Sequence, residues 1–257
     1  MLSLEKINSC LCDKLKEIDI NIFDEVTSTN ALLKEQGRNK SEWCTFVASS
    51  QTGGKGRLGR SFYSPESSGV YFSILLKPGL EVEKAILITT AAAVAVTNAL
   101  GILGCENSQI KWVNDIFVNG KKVCGILTES VINPETKSLD FAVLGVGINL
   151  VKTEEFPDDI KDIAGAVFNE EKPFIKEKFV AEFLNEFYKI YVNLAYADFM
   201  KEYKDKCFCL GREISVISGD TVRRGTAISV DKNARLLVKF SDNHEEFISS
   251  GEISIKI

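Results

Sequence analysis

Runs of apolar and polar residues divide the chain into two parts with different patterns. In the first part, residues 69–77 and 139–150 are rich in β-forming residues and predict strands. Residues 83–101 are apolar on nearly every helical face, which predicts a buried helix. Residues 174–203 repeat Ile, Phe and Tyr at a spacing of four, which predicts one long amphipathic helix.

After Gly211 the pattern changes to short alternating strands. The predicted strands are 212–218, 221–230, 235–240 and 245–250, with polar turns between them. Evenly spaced strands of this kind are typical of a small β-barrel. We therefore predict an α+β chain with a main domain at residues 1–208 and a barrel domain at residues 209–257.

Composition and charge exclude several classes of protein. The 257 residues carry a net charge of −5, which disfavours general affinity for nucleic acid. Seven cysteines without a Cys-x-x-Cys pair, together with a single histidine, fit neither a zinc site nor a disulfide framework. Reduced thiols in the cytoplasm are the simplest interpretation. The N-terminal segment is charged throughout and predicts neither a signal peptide nor a membrane span.

A glycine-rich basic segment follows the strand predicted at residues 44–48. Residues 53–60 contain four glycines and three cations in eight positions. Glycines let the backbone approach a ligand closely, and successive N–H groups can bind an anion. The spacing is not that of a P-loop. The alternative to an anion-binding loop is a solvated surface loop.

A hairpin carries the next group of polar residues. The Asn-Gly pair at 119–120 lies between two apolar runs and predicts a two-residue turn that pairs Phe117 with Lys122. Trp112 and Asn114 fall on one face of this ribbon unless a bulge re-aims them. Period-two alternation places three charged residues on the other face: Lys111, Asp115 and Lys122. This face either grips an anion or is the polar outer face of a half-buried hairpin.

Two short motifs complete the candidate chemistry. In the first, Gly145-Val-Gly-Ile-Asn149 forms a turn at the end of a strand, where two alternate glycines leave room for a bulky group against the sheet. In the second, Thr27-Ser-Thr-Asn30 begins a short helix that Gly37 ends, and it offers several donors and acceptors. A strand bulge and a plain N-cap are the respective alternatives.

The order of these motifs resembles the biotin protein ligases, also called biotin–[acetyl-CoA-carboxylase] ligases. The motifs are Ser-Thr-Asn at 28–30, a Gln-x-x-Gly-Lys-Gly-Arg-x-Gly-Arg segment at 51–60, Lys-Trp-x-Asn-Asp at 111–115 and Gly-x-Gly-x-Asn at 145–149. The resemblance covers residues 22–257. It implies a catalytic domain similar to class II aminoacyl-tRNA synthetases, with a mixed sheet flanked by helices and an SH3-like C-terminal β-barrel.

The resemblance implies ATP-dependent activation of biotin as biotinoyl-5'-AMP. Biotin then passes to a lysine of a biotin carboxyl carrier protein or domain of a carboxylase. Biotin, ATP and Mg²⁺ are the implied ligands. Homodimers that pair through sheet edges occur in this family.

Residue roles follow from the same resemblance. The residues implied to bind biotin are Ser28, Thr29, Asn30 and Gln51. The residues implied to form a loop that closes over biotin and the adenylate are Gly54, Lys55, Gly56, Arg57 and Arg60. Further implied contacts are Lys122 with the biotin carboxylate, Lys111 and Asn114 with ATP or its metal, and Asn149 with the adenylate. Gly145 and Gly147 are implied to leave room for the ligand.

The expected chemistry is an attack of one anion on another. Lys122 and Arg57 would reduce the repulsion between the biotin carboxylate and the phosphates as the acyl-adenylate forms. Asp115 is our hypothesis for the group that orients or deprotonates the acceptor lysine, because alternation places it beside Lys122.

The sequence departs from the common family pattern at three positions. Lys55 stands where the family commonly has Arg, and a lysine lacks the fork of hydrogen-bond donors that a guanidinium offers. Val113 stands in place of a Pro, and Phe62 in place of a Trp. Only about twenty residues precede the predicted catalytic domain, so we expect a ligase without the DNA-binding repressor domain that some members have. A lipoate or octanoate ligase and a non-catalytic biotin or nucleotide sensor are the competing functions.

Overall fold

The computed structural model describes residues 2–133, 135, 138–152, 156–249 and 251–255. Its α-helices are α1 (Leu4–Cys10), α2 (Thr29–Gln36), α3 (Ile86–Ile102), α4 (Ile175–Tyr191) and α5 (Met200–Lys206). The strands of the main sheet are β1 (Ile20–Val26), β2 (Thr45–Gln51), β3 (Gly69–Leu76), β4 (Gln109–Lys111), β5 (Asp115–Val118), β6 (Lys121–Ile132) and β7 (Leu139–Asn149). Short 3-10 turns lie at Asp13–Leu15, Gly37–Asn39, Arg57–Gly59, Val82–Lys84 and Leu194–Tyr196.

The main sheet is mixed, as the family resemblance implied. Its strand order is β1-β2-β3-β7-β6-β5-β4, with β1 and β2 parallel and the other neighbours antiparallel. Helix α3 lies in the core on one face of this sheet and packs against α4. By length and composition the segment Val82–Ile102 could cross a membrane, but 72% of that window is buried inside the fold. The prediction of a buried helix is therefore confirmed.

The two faces of the sheet have different neighbours. On β3, Val70, Phe72 and Ile74 belong to the large core around α3 and α4, whereas Leu75 packs in the smaller core that α2 covers. All residues of β3 are consequently buried. Its side chains alternate between the two cores, and neither face of the strand is exposed to solvent. Helix α2 covers only part of its face, and the uncovered part is where the candidate site lies.

The hairpin prediction is confirmed in its turn and register. Asn119 and Gly120 both have positive φ values, 51° and 74°, as a type I′ turn requires. Phe117 pairs with Lys122, as predicted. Farther from the turn, the register shifts between Ile116 and Phe117, so that Ile116 pairs with Cys124.

The single helix predicted for residues 174–203 is wrong. Helix α4 ends at Tyr191, and Ala197, with φ of 57°, separates a 3-10 turn from α5. The spacing of four ends at Tyr191, and the chain must turn there so that Met200 and Tyr203 can enter the core. The buried aromatic stripe of α4 itself agrees with the prediction.

One glycine interpretation also needs correction. Residues 145–149 are the end of strand β7, paired on both sides with β3 and β6, and not a turn. The prediction that Gly37 ends α2 is confirmed, since the last residue of the helix is Gln36, and the φ of Gly37 is −59°. A Cβ at Gly37 would lie 2.6 Å from Phe141 Cε2, so close packing is what requires glycine there.

The C-terminal part forms an antiparallel sheet. Its strands are β8 (Glu213–Ser218), β9 (Thr221–Val230), β10 (Leu236–Phe240), β11 (Glu245–Ile248) and β12 (Glu252–Ile255), in the order β11-β10-β9-β8-β12. Four of these strands were predicted, and β12 was missed. The sheet shares the large core with the main domain, and Trp112 Nε1 donates to Ala234 O at 2.9 Å.

Candidate active site

Two small cavities adjoin on the partly covered face of the main sheet. We call them the polar cavity, of about 30 Å³, and the cationic cavity, of about 100 Å³. Their common wall consists of Lys55, Phe62, Gly125 and Leu127. Both volumes are far below the roughly 300–1,000 Å³ of typical ligand pockets, because the ring of Phe62 lies between them.

The glycine-rich segment forms a small hairpin over the cationic cavity. Gly56 N donates to Arg60 O at 2.7 Å, and Phe62 N donates to Gly54 O at 2.9 Å. A Cβ at Gly54 would lie 2.4 Å from Phe62 O, so this hairpin requires glycine at its stem. The tip residue Leu58 is 74% exposed.

Arg57 connects three parts of the chain at the cationic cavity. Its guanidinium donates to Asn114 Oδ1 at 3.2 Å and to Gly251 O, next to β12, at 3.4 Å. Asn114 Nδ2 donates to Ile126 O at 2.8 Å, which fixes the orientation of the Asn114 amide. The sequence allowed for a bulge that re-aims Asn114, but the structure instead has a turn at residues 112–114, between β4 and β5, and this turn aims Asn114 into the cavity.

Lys122 and Asp115 form an ion pair inside the same cavity. Lys122 Nζ lies 2.7 Å from Asp115 Oδ1, so the predicted common face of the hairpin brings these two groups together. The backbone of Lys122 is also held by the segment beyond β7, because Lys122 N donates to Ile163 O at 2.8 Å and Gly165 N donates to Lys122 O at 2.9 Å. Sequence reasoning did not assign this supporting segment.

The polar cavity is built around the start of α2. Ser28 is the N-cap, and its hydroxyl accepts from Ala31 N at 3.4 Å. Gln51 Oε1 lies 2.9 Å from Thr29 N and 3.2 Å from the Thr29 hydroxyl. The N-cap alternative and the binding interpretation are thus compatible, because the capped turn presents Thr29 and Gln51 to the cavity.

Asn30 is held by Leu127 of the common wall and by two residues outside the cavity linings, Ser73 and Glu129. The hydroxyl of Ser73 lies 2.6 Å from Asn30 Oδ1 and 2.7 Å from Thr29 Oγ1. Asn30 Nδ2 donates to Leu127 O at 3.3 Å and to Glu129 Oε2 at 3.1 Å, while Lys34 Nζ donates to Glu129 Oε1 at 3.0 Å. Ser73 and Glu129 were missed by sequence analysis, although a single serine within the apolar run 69–77 was a usable signal.

The environment of Glu129 favours its charged form. Burial alone would raise the pKa of the Glu129 carboxyl, but the hydrogen bonds from Lys34 and Asn30 and the charge of Lys34 hold that pKa below its ordinary value. A carboxylate at this position is an acceptor only.

Three glycines make room for protein side chains on this face. Gly125 and Gly147 are cross-strand partners, and the ring of Phe62 lies 3.0 Å and 2.8 Å from where their Cβ atoms would be. A Cβ at Gly145 would lie 2.1 Å from Asn30 Oδ1. The expected free space against the sheet is therefore filled in this structure by Phe62 and Asn30.

Three predicted residues lie outside the described linings of the two cavities, and the first of them, Gly54, is at the stem of the loop hairpin. Lys111 is the cross-strand partner of Asp115, but its Nζ lies 6.0 Å from the centroid of the Phe117 ring, and Lys111 is not among the described residues that line either cavity. Asn149 is likewise absent from both linings, and its Nδ2 donates to Gly165 O at 3.2 Å. The other predicted residues that line the cavities are Arg60, Lys55 and Gly56.

The chemistry of the two cavities is complementary. The cationic cavity offers three loop cations and Lys122 against one carboxylate, which suits an anion, whereas the polar cavity offers neutral donors and acceptors. Within the residues that the structure describes, no three His, Cys, Asp or Glu side chains cluster to hold a metal ion. A ligand with a neutral polar head and an anionic end matches the chemistry of the two cavities together.

Comparisons with known proteins relate this chain to biotin protein ligases. Residues 22–149 match the model of the Biotin/lipoate A/B protein ligase family. The chain is 38% identical over 143 residues to the bifunctional ligase/repressor BirA of Bacillus spizizenii, a match that covers 55% of this chain and 43% of that protein. It is 34% identical over 127 residues to the biotin–[acetyl-CoA-carboxylase] ligase of Paracoccus denitrificans, covering 48% of this chain and 50% of that protein. The matched region thus spans about half the length of these curated relatives.

A solved structure is similar over most of the chain. The biotin protein ligase from Aquifex aeolicus in complex with biotin and ATP superimposes with a TM-score of 0.75 and 28% identity, covering 93% of this chain and 98% of that one. A second structure of that ligase, without ligand, gives a TM-score of 0.71 at 25% identity.

Proposed function

Because residues 22–149 belong to the biotin/lipoate A/B protein ligase family, we propose that this protein is an ATP-dependent biotin–protein ligase. It activates biotin as biotinoyl-5'-AMP and transfers the biotinoyl group to a lysine of a biotin carboxyl carrier domain. The observation that carries the proposal is the junction of a polar cavity with a cationic cavity at Phe62 and Lys55. Biotin has a neutral ureido head and a carboxylate tail, so one molecule would span this junction.

The ureido head occupies the polar cavity. Ser28, Thr29 and Gln51 supply its hydrogen bonds, and Asn30 acts from behind, because its amide is already bound to Ser73, Leu127 and Glu129. Gly145 and Gly147 leave this part of the sheet surface without side chains. Entry of the ligand requires the Phe62 ring to move off the glycine pair, after which the ring can cover the bound molecule by apolar packing.

Adenylation takes place in the cationic cavity. Lys122 leaves Asp115 to hold the biotin carboxylate, which attacks the α-phosphorus of ATP, and pyrophosphate departs. Arg57, Arg60 and Lys55 oppose the negative charge that gathers on the phosphates, as preorganised cations do in a site closed to water. Gly54 and Gly56 let the backbone of the loop come close to the adenylate.

A magnesium ion accompanies ATP in this proposal. Mg²⁺ prefers oxygen ligands and is commonly held by substrate phosphates and one or two protein oxygens. The side-chain oxygen of Asn114 in the cationic cavity fits that preference. When bound, the ion would neutralise charge on the departing pyrophosphate. Lys111 and Asn149 remain proposed outer contacts to the nucleotide, which they would reach only after movement.

Transfer requires a neutral amine on the acceptor. Asp115, freed when Lys122 turns to the carboxylate of biotin and then to the acyl oxygen of the adenylate, orients the acceptor ammonium and takes one of its protons. The neutral amine then attacks the carbonyl carbon of the acyl-adenylate, an amide forms and AMP leaves.

The remaining assignments extend the same proposal. The main domain spans residues 1–208, and the sheet of β8–β12 forms an SH3-like barrel domain at residues 209–257, supported by its five antiparallel strands. The partner is a biotin carboxyl carrier domain of acetyl-CoA carboxylase or a related enzyme. The protein acts in the cytoplasm without a nucleic-acid partner, which its seven free thiols and net charge of −5 support, and it can pair as a homodimer.

The test of this function is pyrophosphate release from ATP with biotin, lipoate or octanoate as the acid. We expect release with biotin alone. Release with lipoate or octanoate would assign the other branch of the family, and biotin binding without release would identify a sensor. Transfer is then measured with a biotin carboxyl carrier domain as acceptor.

A further inference from the structure

We infer that Glu129, which lines neither cavity, is a positioning residue that fixes the direction of the hydrogen bonds offered to the ligand in the polar cavity. This inference rests on the proposed function, which makes biotin the ligand there. It starts from the observation that every polar atom of the Asn30 side chain has a partner inside the protein.

The first step is the orientation of the Asn30 amide. Its Nδ2 faces Glu129 Oε2 at 3.1 Å and Leu127 O at 3.3 Å, and a carboxylate and a carbonyl can only accept. Lys34 Nζ holds the other oxygen of Glu129 at 3.0 Å. Asn30 Oδ1 must therefore point the opposite way, toward Ser73.

The second step is the single proton of Ser73. Its hydroxyl contacts Asn30 Oδ1 at 2.6 Å and Thr29 Oγ1 at 2.7 Å, but one proton can satisfy only one of these contacts. Because Asn30 Oδ1 has no proton to give, Ser73 donates to Asn30. The Thr29 hydroxyl then donates its proton to Ser73 at 2.7 Å, a shorter contact than the one with its alternative acceptor, Gln51 Oε1, at 3.2 Å; Gln51 Oε1 keeps its hydrogen bond from Thr29 N.

The third step concerns which hydrogen bonds remain available to a ligand once the protons of Ser73 and Thr29 are assigned. With its proton committed to Ser73, Thr29 Oγ1 can only accept from a group in the cavity. Gln51 Oε1, which accepts from Thr29 N at 2.9 Å, is a second acceptor on the same wall. This wall selects a ligand N–H and rejects a ring oxygen at the same place, since two facing acceptors repel and both lose a hydrogen bond. A cyclic urea satisfies the wall, and a cyclic carbamate does not.

The sharpest variant is Glu129→Gln, which keeps the size of the side chain. Lys34 would attract the carbonyl oxygen of the new amide, leaving its NH₂ group against Asn30 Nδ2. Asn30 would have to flip, and the proton order would reverse. The double variant Lys34→Met/Glu129→Gln removes that attraction, so the new carbonyl can turn toward Asn30 and restore the order.

The matched control is Asp140→Asn. Asp140 is a carboxylate on the neighbouring strand β7 that pairs with Arg38 at 3.8 Å, and it has no contact with the Asn30 network. We expect Glu129→Gln to raise KM for biotin about tenfold, with kcat and KM for ATP nearly unchanged. The double variant should recover most of this loss. Discrimination between biotin and a cyclic-carbamate analogue, with oxygen in place of one ureido N–H, should narrow in Glu129→Gln.

Failure of this inference can be separated from failure of the proposed function. If Glu129→Gln matches Asp140→Asn in KM for biotin, or if the double variant is no better than the single one, the role of Glu129 is refuted. If the wild type releases no pyrophosphate with biotin, the proposed function fails. In that case NMR spectra still test the orientation of Asn30. The side-chain NH₂ resonances of Asn30 should shift in Glu129→Gln and return to their original positions in the double variant. Unchanged resonances in Glu129→Gln would overturn the inference.

Discussion

Lys122 Nζ and Asp115 Oδ1 lie 2.7 Å apart in a cavity that also contains Arg57 and Arg60. The pair is partly buried, with side-chain exposures of 29% and 20%, so the lysine is held in place without being withdrawn from a ligand. A substrate carboxylate can replace Asp115 as the partner of Lys122. The Asp115 carboxylate is then free to take a proton from the acceptor lysine. The pair thereby links the two half-reactions of the proposed activity.

Lys122→Ala should lower biotin-dependent pyrophosphate release at least a hundredfold. Such a loss corresponds to about 2.7 kcal/mol of barrier, because the carboxylate loses its cation in the transition state. The matched control is Lys121→Ala, whose Nζ donates to the backbone of Lys161 and Asp162 outside the cavity. Equal rates for the two variants would show that Lys122 does not hold the carboxylate.

Asp115→Asn should separate the half-reactions. We expect pyrophosphate release to stay within a few-fold of wild type, because Lys122 keeps its charge. Transfer from preformed biotinoyl-5'-AMP to a carrier domain should slow at least tenfold at neutral pH and recover as the pH rises, since hydroxide then removes the proton. Asp162→Asn, at an exposed position, serves as the control. Transfer at full rate in Asp115→Asn would remove this role.

Gly145→Ala should lower the free energy of unfolding by about 1–3 kcal/mol, as overpacking of a filled site does. The new Cβ would lie 2.1 Å from Asn30 Oδ1. Gly101→Ala is the same substitution in α3 with nothing within 4 Å of the new Cβ, and it should stabilise the protein by up to about 1 kcal/mol. Urea unfolding measures both effects. Asn30→Ala should relieve part of the Gly145→Ala defect in a double-mutant cycle.

Ligand should protect the basic loop from trypsin. The protease cuts after Lys55, Arg57 and Arg60, and the exposed tip at Leu58 makes this segment accessible. Biotin with ATP should slow this cleavage more than either one alone, because the adenylate contacts both cavities. Cleavage after Lys201, on α5, is the internal control. A loop that is cut equally fast with and without ligands would contradict closure over the adenylate.

Trp112→Phe should destabilise both parts of the chain together. The substitution leaves the buried oxygen of Ala234 without its indole donor, at a cost of about 1–3 kcal/mol. Because the C-terminal sheet shares the large core, we expect one cooperative urea transition that moves to lower concentration. Two separate transitions, with only the smaller one shifted, would instead show that residues 209–257 unfold independently.

The local pattern of the sequence determined several secondary-structure elements of this protein. Helix α3 followed from its continuous apolar run, the hairpin from Asn119-Gly120, and four C-terminal strands from their alternation, because each depends on interactions between residues near in sequence. The order of short polar and glycine-rich motifs also identified the cations of the cavity before their positions were known.

Only the tertiary structure decided how distant residues meet. Ser73 and Glu129 came to hold Asn30 because β3, β7 and β6 are adjacent in the sheet, and no periodicity within one strand encodes that order. Phe62 lies on Gly125 and Gly147 for the same reason, since those glycines face each other across two strands. Periodicity states which face of an element is buried, whereas the partner of that face depends on the packing of the whole chain.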